Sequence, residues 1–262
     1  MSAYFAALPM YDWPEEQAET DGTWAGVRAK LHAAGIDVRD ELVRRNADMP
    51  AVPGGIHDEA GRLIAPDPAI LPPDDFDLFT LWRHPGLVFS QTCWGPLSAT
   101  GLDAHVTIIA QPDYSNVEGG HGPLYSSAIV MRGEGDIAPV PDGSAHLPLE
   151  RMRGQRFAFN NPDSMSGLLG IAADLEASGE GLDIFADRIE TGGHRASALA
   201  VANGEGDVAA IDCRSWALFK RLEPAAAGSL RVAGWTARRK GLPYVRARAL
   251  PQQIIKCYPT LA

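Results

Sequence analysis

Apolar positions recur along this chain at two spacings, and the switches between them outline its elements. Residues 4–10 are a short apolar run closed by Pro9, which predicts a buried first strand and its exit loop. Within 23–34, Trp24, Val27, Leu31 and Ala34 recur at helical spacing and Gly35 follows as a stop. Residues 40–46 read as a further short helical piece. From 48 to 75 the chain is rich in Pro, Gly and Asp, so a long surface loop is predicted, with at most a turn of helix near its end. Strands are predicted over 86–92 and 105–110, with a turn at Trp94-Gly95-Pro96 between them. The second of these is continuous in apolar residues, as a buried parallel strand would be. A glycine-rich loop at 112–122 leads to a strand over 125–132, and a short strand over 157–160 runs into a polar segment and a helix over 167–178. A compact helix over 196–203, a strand over 207–212, a helix from 215 to 221 and late strands over 229–236 and 242–249 complete the pattern. Strands alternating with helices predict an α/β protein with mainly parallel sheets. The elements fall into an early and a later group, which allows two lobes.

Composition narrows the function classes. The 262 residues are 45% hydrophobic and 21% charged, with a formal net charge of −10. That sign repels nucleic acid and anionic membranes at long range, so neither is expected as a partner. It leaves room for a small anion, because a local cluster of backbone N–H groups holds one whatever the global charge. Cys93, Cys213 and Cys257 form no CxxC pair, zinc pattern or even-numbered disulfide framework, and read as reduced, mostly buried thiols. His57-Asp58-Glu59 lacks further ligands at metal spacing, residues 133–136 are not a P-loop, and no GxSxG elbow occurs. No metal or cofactor is therefore expected. The N-terminus has no basic region and only a short apolar run, so it reads as a cytoplasmic start if Met1 is native.

The segment richest in chemistry is Asn160-Asn161-Pro162-Asp163-Ser164-Met165-Ser166-Gly167. A strand ends, small polar residues follow and a helix begins. Unpaired N–H groups and the helix dipole favour an anion there, Ser164 and Ser166 add hydroxyls, and Gly167 allows close approach. The plainer alternative is a helix cap by Ser164 or Asp163. His194, after Gly192-Gly193 and followed by Ser197, opens a helix on an adaptable turn, either as an anion donor or as a surface or capping histidine. Asp212 ends a strand, where α/β crevices lie, or else caps the next helix.

In this order, these blocks resemble the phosphate/phosphite/phosphonate-binding family of ABC-transporter solute-binding proteins. The resemblance runs from about Phe89 to about Val245, strongest over 160–167 and 193–212. It implies a type II periplasmic-binding fold: two α/β lobes joined by two crossovers, with a small phosphate-like or phosphonate anion in the cleft between them. Lobe one would hold 1–128 plus 241–262 and lobe two 129–240. Ser164, Met165, Ser166 and Gly167 would form the anion loop, His194 would complete it, and Trp94, Tyr125, Tyr11 and Asp212 would be further ligand-binding residues. Met165 departs from the hydroxyl residue usual between the two serines. Arg214 and Leu242 stand where an aminophosphonate binder would offer acids, which disfavours an aminoalkyl ligand. The resemblance also implies a periplasmic location and an ABC-transporter permease as partner. A cytosolic enzyme or a ligand-sensing module on the same fold is the alternative, with Ser164 and His194 as conceivable nucleophile and base.

Overall fold

Phe5, Ala6 and Ala7 are wholly buried, and their strand opens a four-stranded sheet in the order Phe5–Ala7, Leu87–Gln91, Tyr244–Ala247, Val106–Ala110. The computed structural model describes residues 3–133, 138, 139 and 141–256. The expectations placed on Cys257 and on 134–136 lie outside the described residues. The chain divides into two units, one of Met1–Thr92, Pro96–Gln111 and Leu242–Ala262, the other of Cys93–Gly95 and Pro112–Gly241.

In the first unit the opening strand pairs in parallel with Leu87–Gln91, whereas Tyr244–Ala247 runs antiparallel to both of its neighbours. The 105–110 run was expected to be a buried parallel strand. It is instead an antiparallel edge strand with Ile108 41% exposed. Stacked Trp24, Phe89 and Tyr244 rings fill the space beneath the sheet. The helix Gln17–Ala33 starts six residues before the expected 23, because its first turns are polar and exposed and so leave no apolar signal. Residues 40–45 are not helical, and Asn46 only opens a short 3-10 turn, Asn46–Asp48. Leu42 and Val43 are both buried side by side, and the N–H groups of Arg39 and Val43 bond to the carbonyls of Tyr4 and Ala6, so this stretch lies extended along the first strand. The 48–75 loop holds a small hairpin, Ile56–His57 with Leu63–Ala65, and a turn at Pro68–Ile70 capped by Asp67. The helix Leu78–Arg83, which the pattern did not announce, is capped by Asp77. The expected turn at 94–96 is the first turn of the helix Trp94–Ala99.

In the second unit a five-stranded sheet runs Asp187–Glu190, Arg156–Phe159, Val208–Asp212, Ser127–Arg132, Leu230–Trp235. The first three strands are parallel and Ser127–Arg132 runs antiparallel to both of its neighbours, so the sheets are mixed rather than mainly parallel. One face packs Phe157, Phe185, Met152, Ile171 and Leu175 into a closed apolar core, with the Phe157 and Phe185 rings stacked at 4.6 Å. A small sheet of Arg239–Lys240, Leu124–Tyr125 and Gly120–His121 completes the unit. The three parallel strands all end at the same edge, and each releases a loop there that leads into a helix or helical turn. Those loops begin at Asn160, Thr191 and Asp212.

Candidate functional site

At that edge the 160–167 segment turns into a π-helical turn, Met165–Leu169, which continues as the helix Gly170–Ala177. Ser164 is its N-cap. The Ser164 hydroxyl accepts the Gly167 N–H at 3.0 Å, and its carbonyl takes the N–H groups of Leu168 and Leu169. Gly167 is required here by space rather than by backbone angle: a Cβ on it would sit 1.8 Å from the Asn160 Oδ1 atom. The loop is also held from beneath. The Met165 N–H bonds to the Cys93 sulfur at 3.4 Å, and Gly95 lies so close that a Cβ there would meet the Asp163 carbonyl oxygen at 1.6 Å. Burial pushes the Cys93 thiol up from its ordinary range, so it stays a protonated, inert prop.

The second loop brings in His194 at the start of the helix His194–Asn203. Its Nε2 lies 2.7 Å from the Ser166 hydroxyl and 3.3 Å from Asp212 Oδ2. The third loop supplies Asp212, which is buried and uses Oδ1 to accept the Arg214 and Ser215 N–H groups at 3.0 Å each. Of its two expected uses Asp212 shows the cap, holding the helix Cys213–Leu222 with one oxygen, while its other oxygen faces His194. Burial lowers the His194 pKa, with the Asp212 charge and the Ala210 backbone pulling the other way. The ring is therefore neutral at neutral pH. A carboxylate only accepts, whereas the Ser166 hydroxyl can donate or accept, so the direction of the Ser166 bond to Nε2 follows from which ring nitrogen carries the proton.

This arrangement has a chemical consequence for the two serines. Ser164 Oγ accepts the Gly167 N–H and lies 3.4 Å from Ser166 Oγ, which in turn lies 2.7 Å from His194 Nε2, so the two hydroxyls form one short chain of hydrogen bonds beside the loop. Tyr125 joins them: it is buried, its phenol hydrogen-bonds with the Ser166 side chain, and its ring packs at a tilt on Tyr114, with centroids 5.6 Å apart. Burial foremost, together with nearby Cys93 and Asp212, keeps that phenol protonated by raising its pKa well above the usual tyrosine range. Ser127 fixes the loop from the sheet side, donating its hydroxyl to the Ser166 carbonyl at 3.0 Å. The same geometry bears on nucleophilic chemistry. Ser166, not Ser164, reaches the imidazole, and it shares one ring nitrogen with Asp212. A proton relay from serine to carboxylate needs both ring nitrogens, so the trio lacks the layout of a hydrolytic triad.

The structure therefore gathers Ser164, Met165, Ser166, Gly167, His194, Asp212 and Tyr125 around one strand edge. Trp94 is beside them, half-buried, with its indole N–H on the Gly241 carbonyl at 2.7 Å. Ser197 turns away and bonds with Thr191 at 2.6 Å, which pins the turn before His194. Tyr11 belongs to the first unit. Among the described residues it is the one non-glycine with positive φ, at 64°, and a left-handed conformation held in a buried side chain signals a locally enforced backbone. Asp12, next in the chain, is clamped by Arg44 at 2.7 Å and 3.1 Å. Cys93 and Ser127 were not singled out from sequence as supports of the loop, and a lone cysteine and a strand serine carry no signal that could have done so.

The family model described as "ABC transporter, phosphonate, periplasmic substrate-binding protein" matches residues 94–257. Among solved structures the chain is similar to PhnD1 from Prochlorococcus marinus in complex with methylphosphonate, at 16% identity and TM-score 0.64, over 99% of this chain and 83% of that one. It is also similar to a binding protein component of an ABC phosphonate transporter from Pseudomonas aeruginosa, at 15% identity and TM-score 0.62, over 98% and 72%. A histidine kinase sensor domain with similarity to periplasmic binding proteins gives 14% identity and TM-score 0.54, over 98% and 88%. Likeness at these identities establishes the fold, in agreement with the expected α/β periplasmic-binding class. No curated protein matches the sequence significantly.

Proposed function

The chain belongs to the phosphonate-binding family of ABC-transporter periplasmic substrate-binding proteins, and on that premise we propose that it captures a small phosphonate anion at the Ser164–Ser166 loop. The observation that carries the reading is the disposition of the two serine hydroxyls. Ser164 is held by the Gly167 N–H, and Ser166 lies between Ser164, the His194 ring and the Tyr125 phenol, so three hydroxyls stand together where the next helix offers the positive end of its dipole. A phosphonate oxygen would take over the hydrogens that these hydroxyls otherwise share among themselves. Family membership further supports a periplasmic location and delivery of the bound anion to an ABC-transporter permease.

A thermal-shift and titration series tests this directly. The purified protein is titrated with methylphosphonate, phosphate, phosphite and sulfate. A ligand present at a hundredfold excess over its Kd stabilises the folded state by about 2.7 kcal/mol. The reading expects a clear shift with a phosphonate and a smaller one, or none, with sulfate. No shift with any phosphorus anion, in protein that melts cooperatively, would overturn it.

A further inference from the structure

The strand Arg239–Lys240 pairs antiparallel with Leu124–Tyr125, placing Arg239 opposite Tyr125 and Lys240 opposite Leu124. Its two basic residues have different surroundings. Arg239 is neutralised by Asp174, which is nearly fully buried and held at 2.5 Å and 3.1 Å. Lys240 is exposed, has no ion-pair partner among the described residues, and holds its ammonium 5.2 Å from the centre of the Trp94 ring. Trp94 is not free to swing away, because its indole N–H is fixed on Gly241 and its neighbours Cys93 and Gly95 both press against the 163–165 backbone. An unneutralised ammonium thus stands on a fixed aromatic side chain whose two flanking residues touch the proposed anion loop. A cation already resting on that face disfavours a second one from the ligand and attracts a negative group.

From this we infer that Lys240 is a specificity-determining residue which selects phosphonates whose organic part carries a carboxylate over alkylphosphonates, and these in turn over aminoalkylphosphonates. The inference rests on the proposed phosphonate site and names the substrate class within it. The phosphonate group would meet Ser164 and Ser166, while the carboxylate would meet the Lys240 ammonium.

The experiment measures Kd by isothermal titration for phosphonoacetate, methylphosphonate and aminoethylphosphonate, with the wild type, Lys240→Met and Lys240→Glu. The expected wild-type order places phosphonoacetate about tenfold tighter than methylphosphonate, the size of one partly solvated charge-assisted bond, with aminoethylphosphonate weakest. In Lys240→Met the phosphonoacetate advantage should collapse to about twofold or less, while methylphosphonate weakens far less than phosphonoacetate. In Lys240→Glu aminoethylphosphonate should overtake phosphonoacetate. Lys240 is exposed, so both variants are expected to melt as the wild type does, and the melts check this. Methylphosphonate binding with no preference for phosphonoacetate, or an equal loss for all three ligands in Lys240→Met, overturns this inference and leaves the phosphonate site standing. Failure of every phosphonate to bind the wild type overturns the site and this inference together.

Discussion

Replacing Ser164 by alanine separates a helix cap from an anion ligand, because the two roles act on different measurements. Without ligand, the buried Ser164 hydroxyl accepts the Gly167 N–H at 3.0 Å. Losing such a cap costs about 1 kcal/mol, which lowers Tm by about 2 °C in a chain of this size. The hydroxyl's own hydrogen is what a ligand oxygen would receive. Losing one hydrogen bond to a charged group costs about 1–3 kcal/mol of binding, a factor of about 5 to about 150 in Kd. The alanine variant should therefore melt about 2 °C lower and bind methylphosphonate at least about fivefold more weakly, measured by titration well below both melting temperatures. Ser164→Thr keeps the acceptor and the donor, and should stay near the wild type on both counts. An alanine variant that melts lower but binds with an unchanged Kd refutes the anion role and leaves Ser164 as a cap alone. One that binds weakly but melts normally refutes the capping energetics.

Three further outcomes follow from the same geometry. Burial lowers His194 below the ordinary histidine value of 6.5, and the buried His84 and the partly buried His105 shift the same way. Below 6.5 the unfolded chain binds more protons than the folded one, so stability falls as pH drops through that window. Melts between about pH 7.5 and about pH 5.5 should show this, and His194→Gln should flatten part of the slope; an unchanged slope in that variant would refute the assignment. Gly95→Ala forces a Cβ against the Asp163 carbonyl at 1.6 Å, a backbone contact that cannot rotate away. It should cost about 2 kcal/mol or more of stability and weaken phosphonate binding, as read by denaturant titration and calorimetry. Arg239→Met removes the counter-charge of Asp174, whose side chain is 6% exposed against 23% for its partner, and leaves it only the Ala237 N–H as a partner among the described residues. Full burial of such a charge would cost about 3–5 kcal/mol; allowing for the partly wet arginine, a loss of about 2 kcal/mol is expected in denaturant unfolding, and a neutral effect would refute the pairing's structural role.

The residues of the candidate site were legible in the sequence because each of the main ones stands at a junction that one-dimensional pattern reveals. Ser164 follows a strand and precedes a helix, His194 opens a helix after a glycine pair, and Asp212 ends an apolar strand. What the pattern does not carry is direction and neighbourhood. The runs at 127–132 and 208–212 look alike in composition, yet they run antiparallel to one another, since a strand buried on both faces is apolar whichever way its partner runs. The edge strand Asp187–Glu190 went unread because three of its four residues are exposed and charged, leaving no apolar run to notice. The helix Leu78–Arg83 was lost in the Pro/Asp stretch that holds its own cap, Asp77. Which serine meets the imidazole was equally hidden. The π turn bonds the Leu169 N–H back to the Ser164 carbonyl, five residues away, and that local unwinding sets Ser166 against His194.

Long-range partners divide the site into a locked part and an adaptable part. Gly167 against Asn160, Gly95 against Asp163 and Met165 against Cys93 leave the loop backbone no room to change. Asp212, itself fixed by two helix N–H groups, faces His194 Nε2, which in turn meets the Ser166 hydroxyl. Donors held this way suit the shared phosphonate group of any ligand, because the free energy of ordering them is already spent in folding. They cannot tell one organic tail from another. Discrimination must then come from residues that touch the locked loop without being part of it, and in the second unit Trp94 with the Lys240 ammonium above it has that position. A change of ligand preference should consequently be reachable by substitutions at Lys240 without disturbing the serine loop, whereas substitutions beneath the loop should weaken every phosphonate alike.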